Sequence, residues 1–168
     1  MRIRFTPLVF AAVLGAGMAQ AGTVQVSLNH PEKFTDAVDA PGPSPPASLQ
    51  ELSGYLQMLG QKYLPPEQNL SIELLDLDLV GKLRPSRRTT SGWIRVARGP
   101  LDWPHAKLRY TLTANGQVLK SGEESVSDMA FASHIGVYGP DPLRYEKHML
   151  NDWFRARFVP PQPAPAGS

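Results

Sequence analysis

The stretch KLRYTLTANGQVLKSGEE, residues 107–124, predicts an antiparallel hairpin. Its first half alternates apolar with polar residues, as in a strand with one buried face: Leu108, Tyr110 and Leu112. Asn115 and Gly116 favour the positive φ values of a two-residue type I′ turn. With that turn, Leu112 is expected to face Leu119 across the hairpin.

Three further strands are expected upstream of this hairpin. Residues 23–28 alternate apolar with polar side chains, and residues 93–97 are expected to form a short strand. Residues 69–80 alternate in two phases, and the change of phase near Leu74 and Leu75 predicts a β-bulge or a strand buried on both faces.

Two amphipathic helices complete the pattern. The first follows Ser48, which with Glu51 forms a capping box, and ends before Pro65. The second is expected to start at Asp141-Pro142 and to run to about Phe158. Its apolar side is predicted to lie on the sheet and contains these residues: Leu143, Met149, Leu150, Trp153, Phe154 and Phe158.

The order of elements predicts an α+β fold, a two-layer sandwich with both helices on one face of the sheet. A β-α-β unit is followed by an antiparallel three-stranded meander and a C-terminal helix. A single domain is expected over residues 22–158, with a Pro-rich connector at 39–47. The Pro- and Ala-rich tail, 159–168, is expected to be disordered.

The N-terminus has the pattern of a signal peptide, residues 1–21. Arg2 and Arg4 precede a short apolar core, and Ala19-Gln20-Ala21 satisfies the rule for signal peptidase. We therefore expect cleavage after Ala21 and a periplasmic protein. The apolar core is too short to span a bilayer and no second one follows it, so no membrane anchor is expected.

Charge and composition exclude several classes of function. Without Arg2 and Arg4, the 17 Lys and Arg residues fall to 15, which equals the number of Asp and Glu residues. A neutral domain has no overall electrostatic reason to bind nucleic acid. The sequence has no Cys, no nucleophile elbow and no phosphate-binding loop, and its four His residues show no metal-ligand spacing, so no cofactor is expected.

Six segments, in order along the chain, together resemble the proteobacterial domain of unknown function 3016 family: Pro31-Glu32-Lys33-Phe34-Thr35-Asp36, Asp76-Leu77-Asp78-Leu79-Val80-Gly81, Ile94-Arg95-Val96, Asp102-Trp103-Pro104, Tyr145-Glu146-Lys147 and Leu150-Asn151-Asp152-Trp153-Phe154. The two segments of the final helix are the most specific. The resemblance implies a short exported protein. It implies no activity, cofactor or ligand.

A basic run is the first candidate binding surface. Residues 82–98 contain six cations and no acid. Arginine forks could bind phosphate or carboxylate groups, and two tryptophans lie in or near the run. A solvated loop is the alternative interpretation. The candidate binding residues are Arg84, Arg87, Arg88, Trp93, Arg95 and Trp103.

A carboxylate pair is the second candidate. Asp76 and Asp78 lie two apart in a strand, so their side chains share one face about 7 Å apart and could hold a hard cation. Asp36 or Asp102 could join them. A solvated strand face is again the alternative. An EF-hand is excluded because Arg87 occupies the position of the bidentate Glu.

Two functions therefore stay open. The leading hypothesis is a small periplasmic binding or accessory module of the cell envelope, without catalysis, whose partner is an anionic envelope component or another envelope protein. The alternative is a hydrolase that uses Asp76 and Asp78 to hold a metal ion and acts on an envelope substrate.

Overall fold

The computed structural model describes residues 22–35, 47–85, 87, 93–99, 101–134 and 141–161. The predicted signal peptide, residues 39–46 of the connector and residues 162–168 of the tail lie outside these ranges. The elements in chain order are β1 (Thr23–Leu28), α1 (Ala47–Tyr63), β2 (Gln68–Asp78), β3 (Lys82–Pro85), β4 (Trp93–Val96), β5 (His105–Ala114), β6 (Gln117–Ser127) and α2 (Arg144–Phe158), with short 3₁₀ turns at Pro31–Lys33 and Phe131–His134.

The fold is the predicted α+β sandwich. Its main sheet has four strands in the order β1-β2-β5-β6. β1 and β2 are parallel and joined through α1, whereas β2, β5 and β6 are antiparallel neighbours. Both helices contribute to one hydrophobic core with the apolar face of this sheet. The largest fully buried side chains include Phe154 of α2, Leu56 of α1 and Ile72 of β2.

One predicted strand takes a different partner. Residues 93–97 were expected to join the hairpin in a three-stranded meander, but β4 pairs with β3 in a separate two-stranded sheet. The long middle strand of the main sheet, β2, occupies the place beside β5 instead. Ten residues of β2 pair with β5, whereas four residues of β4 pair with β3. The longer ladder therefore takes the central position in the main sheet.

The register of the main sheet shows two irregularities. The shift between Leu74 and Asp76 confirms the bulge that the change of phase predicted. The Asn115-Gly116 turn has the expected positive φ values of 51° and 79°. A second shift follows it, so that Leu112 pairs with Lys120 and the predicted pairing with Leu119 is wrong. The turn fixes only the first pairs of a hairpin, and a bulge can change the register beyond them.

Helix α2 begins slightly later than predicted, at Arg144. The N-cap is Leu143, so the prediction that Asp141 caps the helix is wrong. The Asp141 Oδ1 instead accepts a hydrogen bond of 2.8 Å from the Leu143 N–H and so closes the turn that precedes the helix. Ser48 lies inside α1 rather than before it. Within the described residues, neither helix is long and apolar enough to cross a membrane.

Candidate functional site

The two-stranded sheet of β3 and β4, with Arg87 in the turn between them, carries the basic run; we call it the basic hairpin. Lys82 and Arg84 are two residues apart in β3 and therefore share one face. Both are exposed, as is Arg87. Among the described residues, no carboxylate forms a salt bridge with any of these three cations. Within the described part of the chain, their charges are therefore not compensated by an ion pair.

The other described cations of the run have partners within the fold. Arg95 pairs in register with Leu83, so it lies on the face of the hairpin opposite Lys82 and Arg84. Its Nη1 donates a hydrogen bond of 3.2 Å to the Gly81 carbonyl. Arg98 forms a salt bridge of 3.2 Å with Asp102. The five described cations of the run are thus divided between an exposed group, Lys82, Arg84 and Arg87, and a pair with contacts inside the fold, Arg95 and Arg98.

The remaining predicted binding residues are only partly described. Arg88 lies outside the described residues. Trp93 begins β4, opposite Pro85. Trp103 is half-buried and lies just before Pro104, which is buried at the start of β5.

Asp76 holds a neighbouring turn in place. Its carboxylate accepts hydrogen bonds from the Thr35 N–H (2.8 Å) and the Thr35 hydroxyl (2.9 Å). It also accepts one from the Leu77 N–H at 2.9 Å. These bonds join the turn after Pro31–Lys33 to the bulge of β2, and they occupy both carboxylate oxygens.

The surroundings of the Asp78 carboxylate shift its pKa. Burial raises the pKa of Asp78, and the like charges of Asp102 and Asp76 add to the effect. Burial also acts to raise the pKa of Asp102, but hydrogen bonds from the backbone and side chain of Arg98 lower it below its ordinary value. The three carboxylates are therefore electrostatic neighbours. The fourth candidate, Asp36, lies outside the described residues.

A cluster of titratable side chains that the sequence pattern did not reveal lies on the opposite side of β5. The Asp128 carboxylate lies 2.9 Å from His134 Nδ1 and 3.8 Å from His148 Nδ1, both measured to Oδ2. Asp152 Oδ2 lies 3.4 Å from the same His148 nitrogen. The four His residues show no metal-ligand spacing in the sequence, but His134 and His148 stack, with ring centroids 4.0 Å apart. The one available signal was the i, i+4 spacing of His148 and Asp152, which places them on one face of α2.

A shallow groove beside β1 collects none of the predicted site residues. It is lined by Gly22, Thr23, Val24, Gln57 and Gln61. Its walls offer amide and backbone groups but no charged side chain, so they do not extend either candidate site.

The comparison with protein families matches residues 22–156 to the family described as Protein of unknown function (DUF3016). The chain belongs to this family. The match includes every described element of the DUF3016 domain except the last two residues of α2. No curated protein and no solved structure matches the chain. The family carries no assigned molecular function.

Proposed function

We propose that this DUF3016 protein is an exported, non-catalytic binding module of the cell envelope, and that the basic hairpin binds an anionic envelope component. The ligand chemistry is a phosphate group presented by a lipid headgroup or an envelope polymer. The guanidinium groups of Arg84 and Arg87 can each donate two parallel hydrogen bonds to such a group.

The uncompensated charge of the hairpin carries this proposal. Elsewhere on the surface, several described cations have carboxylate partners: Arg109, for example, forms salt bridges with Glu73 (2.6 Å) and Glu123 (2.8 Å). On the basic hairpin, Lys82, Arg84 and Arg87 have no carboxylate partner within the described part of the chain. A cation without an internal partner is free to bind an external anion.

Two observations support export. Residues 1–21 have the charged start, short apolar core and Ala-Gln-Ala of a signal peptide. The family match begins at residue 22, directly after the expected cleavage point. Export would bring the domain into contact with lipid headgroups and envelope polymers that carry phosphate.

The hydrolase alternative has weaker support. A metal-dependent hydrolase needs several oxygens that converge on one ion. Both oxygens of Asp76 are engaged by Thr35, and Asp102 is engaged by Arg98. Of the three carboxylates Asp76, Asp78 and Asp102, Asp78 is the one that these hydrogen bonds do not engage.

The experiment measures cosedimentation of the purified chain with vesicles that contain phosphatidylglycerol, compared with vesicles of phosphatidylcholine alone. Binding to lipid-free polyphosphate, measured in a second arm, distinguishes a polymer from a lipid source. Binding is expected to fall steeply with salt, because exposed charges are screened beyond about 8 Å at physiological ionic strength. Replacing Arg84, Arg87 and Arg88 together with Ala is expected to weaken binding at least tenfold.

The control variant removes three other exposed cations, Lys33, Lys62 and Arg155, and so changes the net charge equally. It should bind like the parent protein. Equal loss in both variants would mean that net charge, and not the hairpin, governs association. Binding that ignores salt, or no binding in either arm, would refute the proposal.

A further inference from the structure

We propose that Asp128, His134 and His148, with Asp152 beside them, form a binding site for a divalent first-row transition metal such as Zn²⁺. We call these four residues the His/Asp cluster. The proposal is independent of the basic hairpin, because the cluster shares no residue with it.

The donor set suits such an ion. Two imidazole nitrogens and carboxylate oxygens are ordinary ligands of Zn²⁺, with bonds of about 2.0–2.2 Å. Four ligands at that distance in a tetrahedron lie roughly 3.3–3.5 Å from one another. The ligand atoms of Asp128, His134 and His148 all lie within 4.8 Å of one another. The distances of 2.9, 3.8 and 3.4 Å within the cluster bracket the tetrahedral separation.

The Asp128 carboxylate and the 3₁₀ turn that carries His134 are fixed by neighbouring contacts. Asp128 Oδ1 accepts a hydrogen bond of 3.0 Å from the Ala130 N–H, which leaves Oδ2 directed at the two imidazoles. Phe131 packs edge-on against Tyr145 of α2, with ring centroids 5.1 Å apart, and so fixes the 3₁₀ turn to the helix. Such supporting contacts orient metal ligands in known sites.

A simple ion pair does not account for the whole arrangement. One imidazole would satisfy the Asp128 carboxylate, and His134 already lies at hydrogen-bond distance from it. Yet His148 approaches the same oxygen, and Asp152 approaches His148 from the next turn of the helix. This surplus of ligand atoms beside His148 is the observation that indicates an ion.

The His/Asp cluster is accessible to solvent. The side chain of Asp152 is 59% exposed and that of His134 is 32% exposed, so the cluster opens to solvent on their side. The two imidazole planes differ by only 13°. Since a metal ion binds in the plane of each ring, His134, the more exposed of the two, must turn and separate the stack when the ion binds.

The experiment titrates the untagged chain, treated first with EDTA, with Zn²⁺ by calorimetry and with Co²⁺ by visible absorption. We expect one ion per chain, a Co²⁺ spectrum with nitrogen and oxygen ligands, and a rise in melting temperature, because the ligand binds the native state. Asp128→Asn and His148→Gln should each weaken binding at least about tenfold.

Two variants serve as controls. His30→Asn removes an exposed imidazole outside the cluster, at a left-handed position that Asn tolerates. Asp78→Asn removes the carboxylate of the other candidate cation site. Both should bind Zn²⁺ like the parent, and circular dichroism in EDTA should show every variant folded.

Three results would overturn the proposal. The first is the absence of a calorimetric signal with the parent protein. The second is binding that survives in a variant lacking both His134 and His148. The third is binding lost in Asp78→Asn but retained in the cluster variants, which would place the ion at the strand carboxylates. If a variant fails to fold, the Co²⁺ spectrum of the parent still tests the site, because nitrogen ligands change that spectrum.

Discussion

At the residue scale, Glu146 is a carboxylate with no exposed surface, at the start of α2. Its Oε1 accepts a hydrogen bond of 2.7 Å from the Val80 N–H, so it ties the helix to the chain just after β2. Among the described residues, its Oε2 has no hydrogen-bond partner. Burial raises the pKa of Glu146, against the opposing effects of the Val80 N–H and the positive charges of Arg95 and Arg144.

This shift predicts a pH-dependent stability. The folded pKa lies above the unfolded value, so the folded state holds the proton more tightly. The free energy of unfolding should therefore fall as the pH rises from about 4.5 through the folded pKa. Glu146→Gln keeps an acceptor for the Val80 N–H and removes the buried charge. We expect this variant to be more stable than the parent at neutral pH, with a flatter pH profile in urea denaturation.

Glu67→Gln is the matched control, because Glu67 is exposed and its variant should follow the parent profile. Glu146→Ala should be less stable than Glu146→Gln at every pH, since it leaves a buried N–H unpaired at a cost of about 1–3 kcal/mol. A Glu146→Gln profile that coincides with the parent profile would contradict the assignment.

At the element scale, α2 is joined to the sheet by an aromatic cluster with a polar anchor. Trp153 Nε1 donates a hydrogen bond of 3.0 Å to Glu124 on β6, and the Tyr110 hydroxyl donates another to the same carboxylate. The Trp153 and Phe158 rings meet edge-on at 5.4 Å. Phe154 is fully buried beside them. The helix is thus fixed by packing and by one shared acceptor.

Truncating an aromatic side chain of this cluster should strongly lower the stability of the domain. Trp153→Ala or Phe154→Ala is expected to lower the free energy of unfolding by about 3–5 kcal/mol, because each leaves a large cavity. Denaturant midpoints measure the effect, and Arg155→Ala on the exposed side of α2 should leave the midpoint nearly unchanged. If Trp153→Ala also did so, Trp153 would not carry the packing of the helix.

The periodicity of apolar residues predicted the positions of helices and strands better than it predicted which strands pair with each other. The spacing of apolar residues placed Trp153 in the core, and the structure confirms it. The same reasoning failed for β4, because a four-residue strand carries no record of which neighbour it pairs with. The His/Asp cluster was missed for the same reason: His134 and His148 lie on different elements, and only tertiary packing brings them together.

At the scale of the whole molecule, charge is distributed unevenly between the outer face of the main sheet and the basic hairpin. The outer face of the sheet is balanced by a network in which Arg109 bridges two acids and Lys107 contacts Glu123 at 2.8 Å. Exposed pairs of this kind add little stability, but they leave no net charge for a partner. The basic hairpin contrasts with this face, so a search for partners should begin there.

The beginning of the fold is also compatible with the expected cleavage point. The Gly22 N–H donates a hydrogen bond of 3.2 Å to the Leu64 carbonyl, and the first strand starts at the next residue. A Cβ at position 22 would lie 2.5 Å from the Leu64 Cβ, so the chain needs glycine there. Cleavage after Ala21 would leave an amino group able to keep this hydrogen bond, and β1 would stay intact.

We therefore predict that the chain, expressed in full and recovered from the periplasm, has the intact mass of a protein that begins at Gly22. Signal peptidase requires small residues at the positions of Ala19 and Ala21, so Ala21→Leu should leave the leader attached. Gln20→Leu, at the variable position between them, should be processed like the parent. Recovery of the parent only with residues 1–21 attached, or equal processing of both variants, would contradict export by this route.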